Sequence, residues 1–187
     1  IRAADDTLLL DWSGIEFIAP QFEAAATGAG LDFSALFGAL LAGVDTINGS
    51  ARSDLLDGGA AGDVLNGLGG DDRLYGNQGN DDLYGGDGDD LLDAGNGHDA
   101  LDGGAGDDRL DGGARSDTML GGPGHDVIDG GLDPDRIEAG DGDDVIYGGT
   151  GDDRIYTGEG TNRVEAGAGR DFIAGGSGDD TIDCRSG

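Results

Sequence analysis

The chain has 187 residues and a formal charge of −30, built from 35 Asp and 5 Glu against 10 Arg, with no Lys. Phosphate binding needs a basic face, so this balance excludes nucleic acid as a partner and disfavours an anionic membrane; no apolar run approaches membrane-spanning length, so no membrane insertion is expected. Gly occurs 42 times but at no three-residue period, which removes a collagen-like helix.

Residues 1–39 differ in texture from the rest. They hold the only Trp (Trp12), four of the five Phe, and apolar clusters at Leu8, Leu9 and Leu10 and over 15–18. The clusters predict two short strands around a turn at Ser13 and Gly14. Asp32 predicts an N-cap for a short helix over 33–41, weakened by Gly38. A solenoid exposes an apolar cross-section at each end, so 1–39 reads as a cap, with a remnant of a preceding region as the alternative. The chain opens on Ile1 with no signal-peptide pattern and stops four residues after its last repeat, leaving 184–187 as a tail; this predicts a piece of a longer protein. Cys184 is alone, so no intramolecular disulfide forms.

Residues 40–183 are sixteen nine-residue units in unbroken phase. Position 6 of each unit is Asp45, Asp54, Asp63, Asp72, Asp81, Asp90, Asp99, Asp108, Asp117, Asp126, Asp135, Asp144, Asp153, Asp171 or Asp180, with Asn162 in the one remaining unit. Position 8 is aliphatic throughout, from Ile47 to Ile182, and positions 2 and 4 are mostly Gly. A fixed short period makes each unit one supersecondary piece that is stable only when stacked on its neighbours. Positions 1–6 are rich in Gly, Asp and Asn and predict a turn. Positions 7–9 (Arg73-Leu74-Tyr75, for example) predict a three-residue strand with one inward side chain. Two units then make an 18-residue coil, and about eight coils stack into an all-β parallel roll roughly 35 Å long.

Stacking residues 18 apart lines up the position-6 aspartates in two columns, one on each edge. Neighbouring carboxylates about 5 Å apart repel by roughly 3 kcal/mol at an effective dielectric near 20. One inward aliphatic per nine residues is a thin core against the conformational entropy of that many ordered residues. A hard divalent cation between successive turns reverses the sign of the edge interaction. Carboxylate and carbonyl oxygens in irregular geometry suit Ca²⁺ better than Mg²⁺, and binding then drives folding.

The unit Gly-Gly-x-Gly-x-Asp-x-(aliphatic)-x, as in Gly85-Gly86-Asp87-Gly88-Asp89-Asp90-Leu91-Leu92-Asp93, resembles the hemolysin-type calcium-binding repeat of the RTX family. The resemblance covers about three quarters of the chain. It implies a right-handed parallel β-roll in a secreted bacterial protein, found outside the cell or at the cell surface, exported by type I secretion and unfolded until it meets calcium. It also implies that each calcium ion lies between units two apart, held by the carbonyls of positions 2 and 4 with the Asp of one, and the carbonyls of positions 1 and 3 with the Asp of the other. A central site is then Gly86, Gly88 and Asp90 facing Gly103, Ala105 and Asp108. Gly140, Gly142, Gly149 and Gly151 fill the same roles in later units. Sixteen units paired two apart allow at most fourteen such sites.

Several units depart from the pattern. Arg52 and Arg115 stand at position 4, where a Cβ strains the turn and a cation opposes a metal; Ala61 shares the steric problem. Asp133-Pro134 is expected to disrupt the eleventh turn, and Asn162 lacks the charge. Calcium is expected to be weak or missing there, and most regular over 67–111 and 139–153.

Catalysis finds no support within the chain. Paired carboxylates such as Asp71-Asp72, Asp143-Asp144 and Asp152-Asp153 are explained by a ligand at position 6 beside a solvated position 5. His98 and His125 fall on opposite edges and cannot share a zinc ion. Tyr75, Tyr84, Tyr147 and Tyr156 make no ladder, and position-7 Arg reads as screening surface acid. A His-Glu-x-x-His helix and a Gly-x-Ser-x-Gly elbow are both absent. The expectation is a non-catalytic calcium module whose partners are calcium ions and the domains of its parent protein. The alternatives are the roll of an RTX protease, lipase or alginate epimerase whose chemistry lies elsewhere, or a surface adhesin array.

Overall fold

The computed structural model describes residues 42–184 and, as backbone, the strand Glu16–Phe17. Position 8 points inward in every coil, so Leu65, Leu74, Leu83, Leu92 and their counterparts to Val164 are fully buried in one continuous column of core. The strands carrying them form two parallel sheets, one on each side of that column. Odd-numbered repeats supply eight strands of the nine-stranded sheet, from Thr46–Asn48 to Phe172–Ser177, and Glu16–Phe17 is the ninth. Even-numbered repeats build the eight-stranded sheet, from Leu55–Asp57 to Thr181–Asp183. Each strand pairs with the one 18 residues on, as in Thr118↔Arg136 and Val127↔Val145, which is the predicted coil. No helix among the described residues is long and apolar enough to cross a membrane.

Strand length departs from expectation. All but the first parallel strand of the nine-stranded sheet run for six residues, through positions 7–9 and on to position 3 of the next repeat, as in Asp82–Asp87. Position 1 thereby becomes a second inward position, filled by Gly or by the fully buried Ala94, Ala139, Thr157 and Ala166. In the other sheet several strands stop after three residues and pairing resumes as single bridges at position 3, such as Ala114↔Leu132.

At the N-terminal end, Glu16–Phe17 pairs antiparallel with Thr46–Asn48. The rest of 1–39, including the strand around Leu9 and the helix expected over 33–41, lies outside the described residues. At the other end the core column opens: Ile182 is 44% exposed, whereas Val164 one coil earlier is buried.

Candidate metal centres

The position-6 side chains form the two columns foreseen from the period, and the columns are hydrogen-bonded ladders. The backbone N–H of each position-6 residue donates to Oδ1 of the position-6 side chain one coil later. One edge runs Asp45→Asp63→Asp81→Asp99→Asp117→Asp135→Asp153→Asp171, at 2.7–3.1 Å. The other runs Asp54→Asp72→Asp90→Asp108→Asp126→Asp144→Asn162→Asp180, at 2.7–3.0 Å. Every pair of stacked repeats is joined this way.

The second carboxylate oxygen is left over. Oδ2 of Asp45, Asp63, Asp72, Asp81, Asp90, Asp99, Asp108, Asp117, Asp126, Asp135, Asp144 and Asp153 is buried without any hydrogen-bond partner. A buried carboxylate oxygen with no donor is costly, and a repeated one demands a physical explanation. Its surroundings supply further oxygens. A Cβ added at Gly103 would lie 2.5 Å from Asp108 Oδ2 and 2.7 Å from the Gly121 carbonyl oxygen, so those two acceptors converge on one point. A side chain at position 1 therefore comes close to the space that Oδ2 faces, although Ala94 and Ala139 stand there while Asp99 and Asp144 keep a partnerless Oδ2.

The carbonyls of the turn complete the cradle. Gly86 (φ 115°) and Gly88 (φ 136°) hold left-handed conformations that aim their carbonyls forward, at Gly104 and Gly106 of the coil above. The Gly103 carbonyl turns back toward Gly85, and the Ala105 carbonyl turns back to accept the Gly88 N–H at 2.8 Å. Gly86, Gly88, Asp90, Gly103 and Ala105 thus meet in one interval between coils, where Asp90 Oδ2 lies beside the Gly103 carbonyl and Asp108 enters through Oδ1, which accepts the Asp90 N–H. The carbonyls of Gly140, Gly142, Gly149 and Gly151 point forward in the same way, at Gly158, Gly160, Gly167 and Gly169. Oxygen donors alone, carboxylate and carbonyl mixed, are the set a hard cation such as Ca²⁺ takes. Among the described residues no three His, Cys, Asp or Glu side chains converge on a metal-binding point, so most donors here are main-chain oxygens.

Electrostatics follow from this burial. Desolvation first, and repulsion from the neighbouring carboxylates after it, push Asp63, Asp90, Asp99, Asp126 and Asp153 up to about 6. Asp108 and Asp135 rise to about 7 and Asp117 to about 8 for the same reasons. These carboxyls therefore hold a proton more tightly than free carboxylates do.

The irregular turns behave differently from one another. Ala61 (φ 84°), Arg115 (φ 83°) and Asp133 (φ 74°) hold the strained left-handed conformation expected of position 4, and Arg52 does not. Leu68 (φ 79°) and Asn77 (φ 72°) hold it at position 2, inside the stretch expected to be most regular. The eleventh turn keeps both ladder bonds of Asp135, because Pro134 falls at position 5, whose N–H the position-6 ladder does not use.

Position 5 is more than a solvated neighbour. The N–H groups of Asp89, Asp107, His125, Asp143 and Thr161 each donate to the position-5 side chain one coil earlier. This outer ladder runs opposite in sense to the inner one, and its sequence signal is the excess of Asp, Asn and His at position 5. His98 and His125 are exposed and belong to separate edges; His98 Nδ1 donates to the Ser116 carbonyl, whereas His125 Nδ1 accepts the Asp143 N–H. Arg136 and Arg163 pair with Glu138 and Glu165, and Arg136 also lies 4.9 Å above the Tyr156 ring.

Comparison with the curated proteins finds no match. A family model for the RTX calcium-binding nonapeptide repeat, four copies long, matches residues 41–74, 66–101, 75–110, 102–137, 129–164 and 156–187. These matches span nearly the whole roll and coincide with the cradles just described, so the chain belongs to the RTX calcium-binding nonapeptide repeat family.

Proposed function

We propose that this roll is a calcium-triggered folding module of a secreted bacterial protein, non-catalytic in itself, which leaves the cell unfolded and orders outside it. The observation that carries this reading is the row of buried, partnerless Oδ2 atoms, repeated at nearly every interval between coils. Each ion bound between coils would neutralise stacked carboxylates and cross-link the turns that supply them, so metal affinity becomes folding free energy. Asp90 and Asp108 would hold such an ion at the centre of the roll, with the carbonyls of Gly86, Gly88, Gly103 and Ala105. The export route and the activity of the parent protein rest on family membership and belong to the proposal.

The test is far-UV circular dichroism at pH 7.5 during a calcium titration from EGTA upward, with magnesium as control. A cooperative coil-to-β transition with Ca²⁺ and not Mg²⁺ is expected. A spectrum already folded in EGTA, or unmoved by several millimolar calcium, overturns the reading.

A further inference from the structure

The orphaned oxygens sort the intervals between coils. Oδ2 of each orphaned position-6 aspartate faces the interval above its own repeat, toward the position-1 carbonyl of the coil stacked on it, as Asp117 Oδ2 faces Gly130. Fourteen intervals are possible, seven on each edge. On the Asp45 edge all seven contain an orphan. On the Asp54 edge only five do, those above Asp72, Asp90, Asp108, Asp126 and Asp144. The two exceptions are the first and the last intervals of that edge.

At the first, Asp54 Oδ2 accepts both the backbone N–H of Ser50 at 2.7 Å and its hydroxyl at 2.8 Å. A natural control exists within the chain. Repeats 2 and 9 share Ala-Arg-Ser-Asp at positions 3–6 (Ala51 to Asp54, Ala114 to Asp117) and differ at position 2, where Ser50 stands opposite Gly113. Asp117 Oδ2 is an orphan and Asp54 Oδ2 is not. Ser50 supplies both donors that satisfy Asp54 Oδ2, one from its backbone and one from its side chain, whereas Gly113, held left-handed at φ 89°, supplies neither to Asp117 Oδ2.

At the last interval two departures from the repeat fall in one unit and converge on one acceptor. Asn162 places an amide Nδ2 where every other repeat has a carboxylate oxygen, and it donates to Asp180 Oδ1 at 3.1 Å. Thr157, fully buried at position 1, donates its hydroxyl to Asp180 Oδ2 at 3.3 Å and accepts the Gly176 N–H at 3.1 Å. Both oxygens of Asp180 are satisfied by protein donors. An amide and a hydroxyl occupy the place of a cation, and the pair of stacked negative charges is reduced to one.

We propose that these two end intervals are closed by protein hydrogen bonds in place of calcium, so that the roll takes twelve ions and not fourteen. The assignment rests on the calcium reading above. It leaves the Asp45 edge metal-dependent along its whole length and gives the Asp54 edge a metal-free clasp at each end.

Native mass spectrometry of the full 187-residue chain in a calcium-containing volatile buffer reads the number of bound ions as an integer. Twelve are expected. Ser50→Gly and, separately, Thr157→Gly combined with Asn162→Asp restore the repeat pattern at one end each and are expected to carry thirteen. A wild-type chain carrying fourteen ions overturns the assignment alone, as do counts unchanged in both variants. A chain that binds no calcium overturns the reading on which the assignment rests, and the assignment with it. The two variants act at opposite ends, so a folding failure in one leaves the other decisive.

Discussion

The backbone N–H of Asp90 donates to Asp108 Oδ1 at 2.8 Å, while Asp108 Oδ2 is buried with no partner. One carboxylate thus does two jobs: one oxygen sets the register between coils, and the other is left beside the Gly121 carbonyl oxygen. An isosteric amide can keep the first job and not the second.

Asp108→Asn is therefore expected to preserve the roll at saturating calcium and to raise the calcium concentration at the folding midpoint. The loss should reach at least about tenfold in affinity at that interval, near 1.4 kcal/mol. Calcium titration followed by circular dichroism measures it; an unchanged midpoint would remove Asp108 from the ligand set.

Gly112→Ala places a methyl 2.8 Å from Asp117 Oδ2, 2.8 Å from the Gly130 carbonyl oxygen and 3.2 Å from Met119 Sδ. Overpacking of this kind costs about 1–3 kcal/mol. The variant should unfold at lower temperature in calcium than the wild type, as scanning calorimetry would show.

Arg115 holds φ 83° in a turn built for glycine. Left-handed backbone costs a residue with a Cβ roughly 1–2 kcal/mol, so Arg115→Gly is expected to stabilise the calcium form by about 1 kcal/mol after the added freedom of the unfolded chain is subtracted. Removing the cation should also lower the calcium midpoint. A destabilised variant would mean that the Arg115 side chain makes a contribution larger than the strain it causes.

Leu92 is fully buried in the single core column, stacked in register between Leu74 and Leu110. Leu92→Ala should cost about 2–5 kcal/mol. Chemical denaturation in saturating calcium checks the value.

Acid should act in opposite directions on the two states. The folded pKa of the column aspartates is raised, to about 6 for Asp90, about 7 for Asp108 and about 8 for Asp117. A raised folded pKa means that protonation favours the metal-free roll: the contribution is present below the ordinary carboxylate value and is lost as pH rises through about 6 to 8. In EGTA, β-structure should therefore increase as pH falls from 8 to 5. In limiting calcium it should decrease, because proton and metal compete for the same oxygens. Circular dichroism across this range, with and without EGTA, reads both slopes; parallel slopes would contradict the account.

The repeat was legible to the residue. The phase, the coil of 18, the inward column at position 8 and the two aspartate columns follow from the nine-residue period. The carbonyl cradle came from family resemblance, and the structure shows only which way the turn carbonyls point. The second inward position was missed, although position 1 from repeat 2 onward admits only Gly, Ala or Thr. Small residues alone do not tell a turn from a crowded interior; only the closeness of Oδ2 and a neighbouring carbonyl makes that distinction.

What the sequence determined by itself is the architecture and the kind of ion it invites, because a nine-residue period with one acid and one aliphatic per unit admits few solutions. What only the tertiary structure decided is which oxygens are left without partners. Asn162 looked like a lost charge, Arg52 and Arg115 looked alike, and Ser50 and Thr157 carried no signal. Their effects depend on donors and acceptors meeting across a coil. Asn162 and Thr157 act on Asp180, 18 and 23 residues away, and Ser50 satisfies Asp54 where Gly113 leaves Asp117 without a partner. A period shows where residues stack; hydrogen-bond satisfaction in a buried interval is settled by a few tenths of an ångström between them.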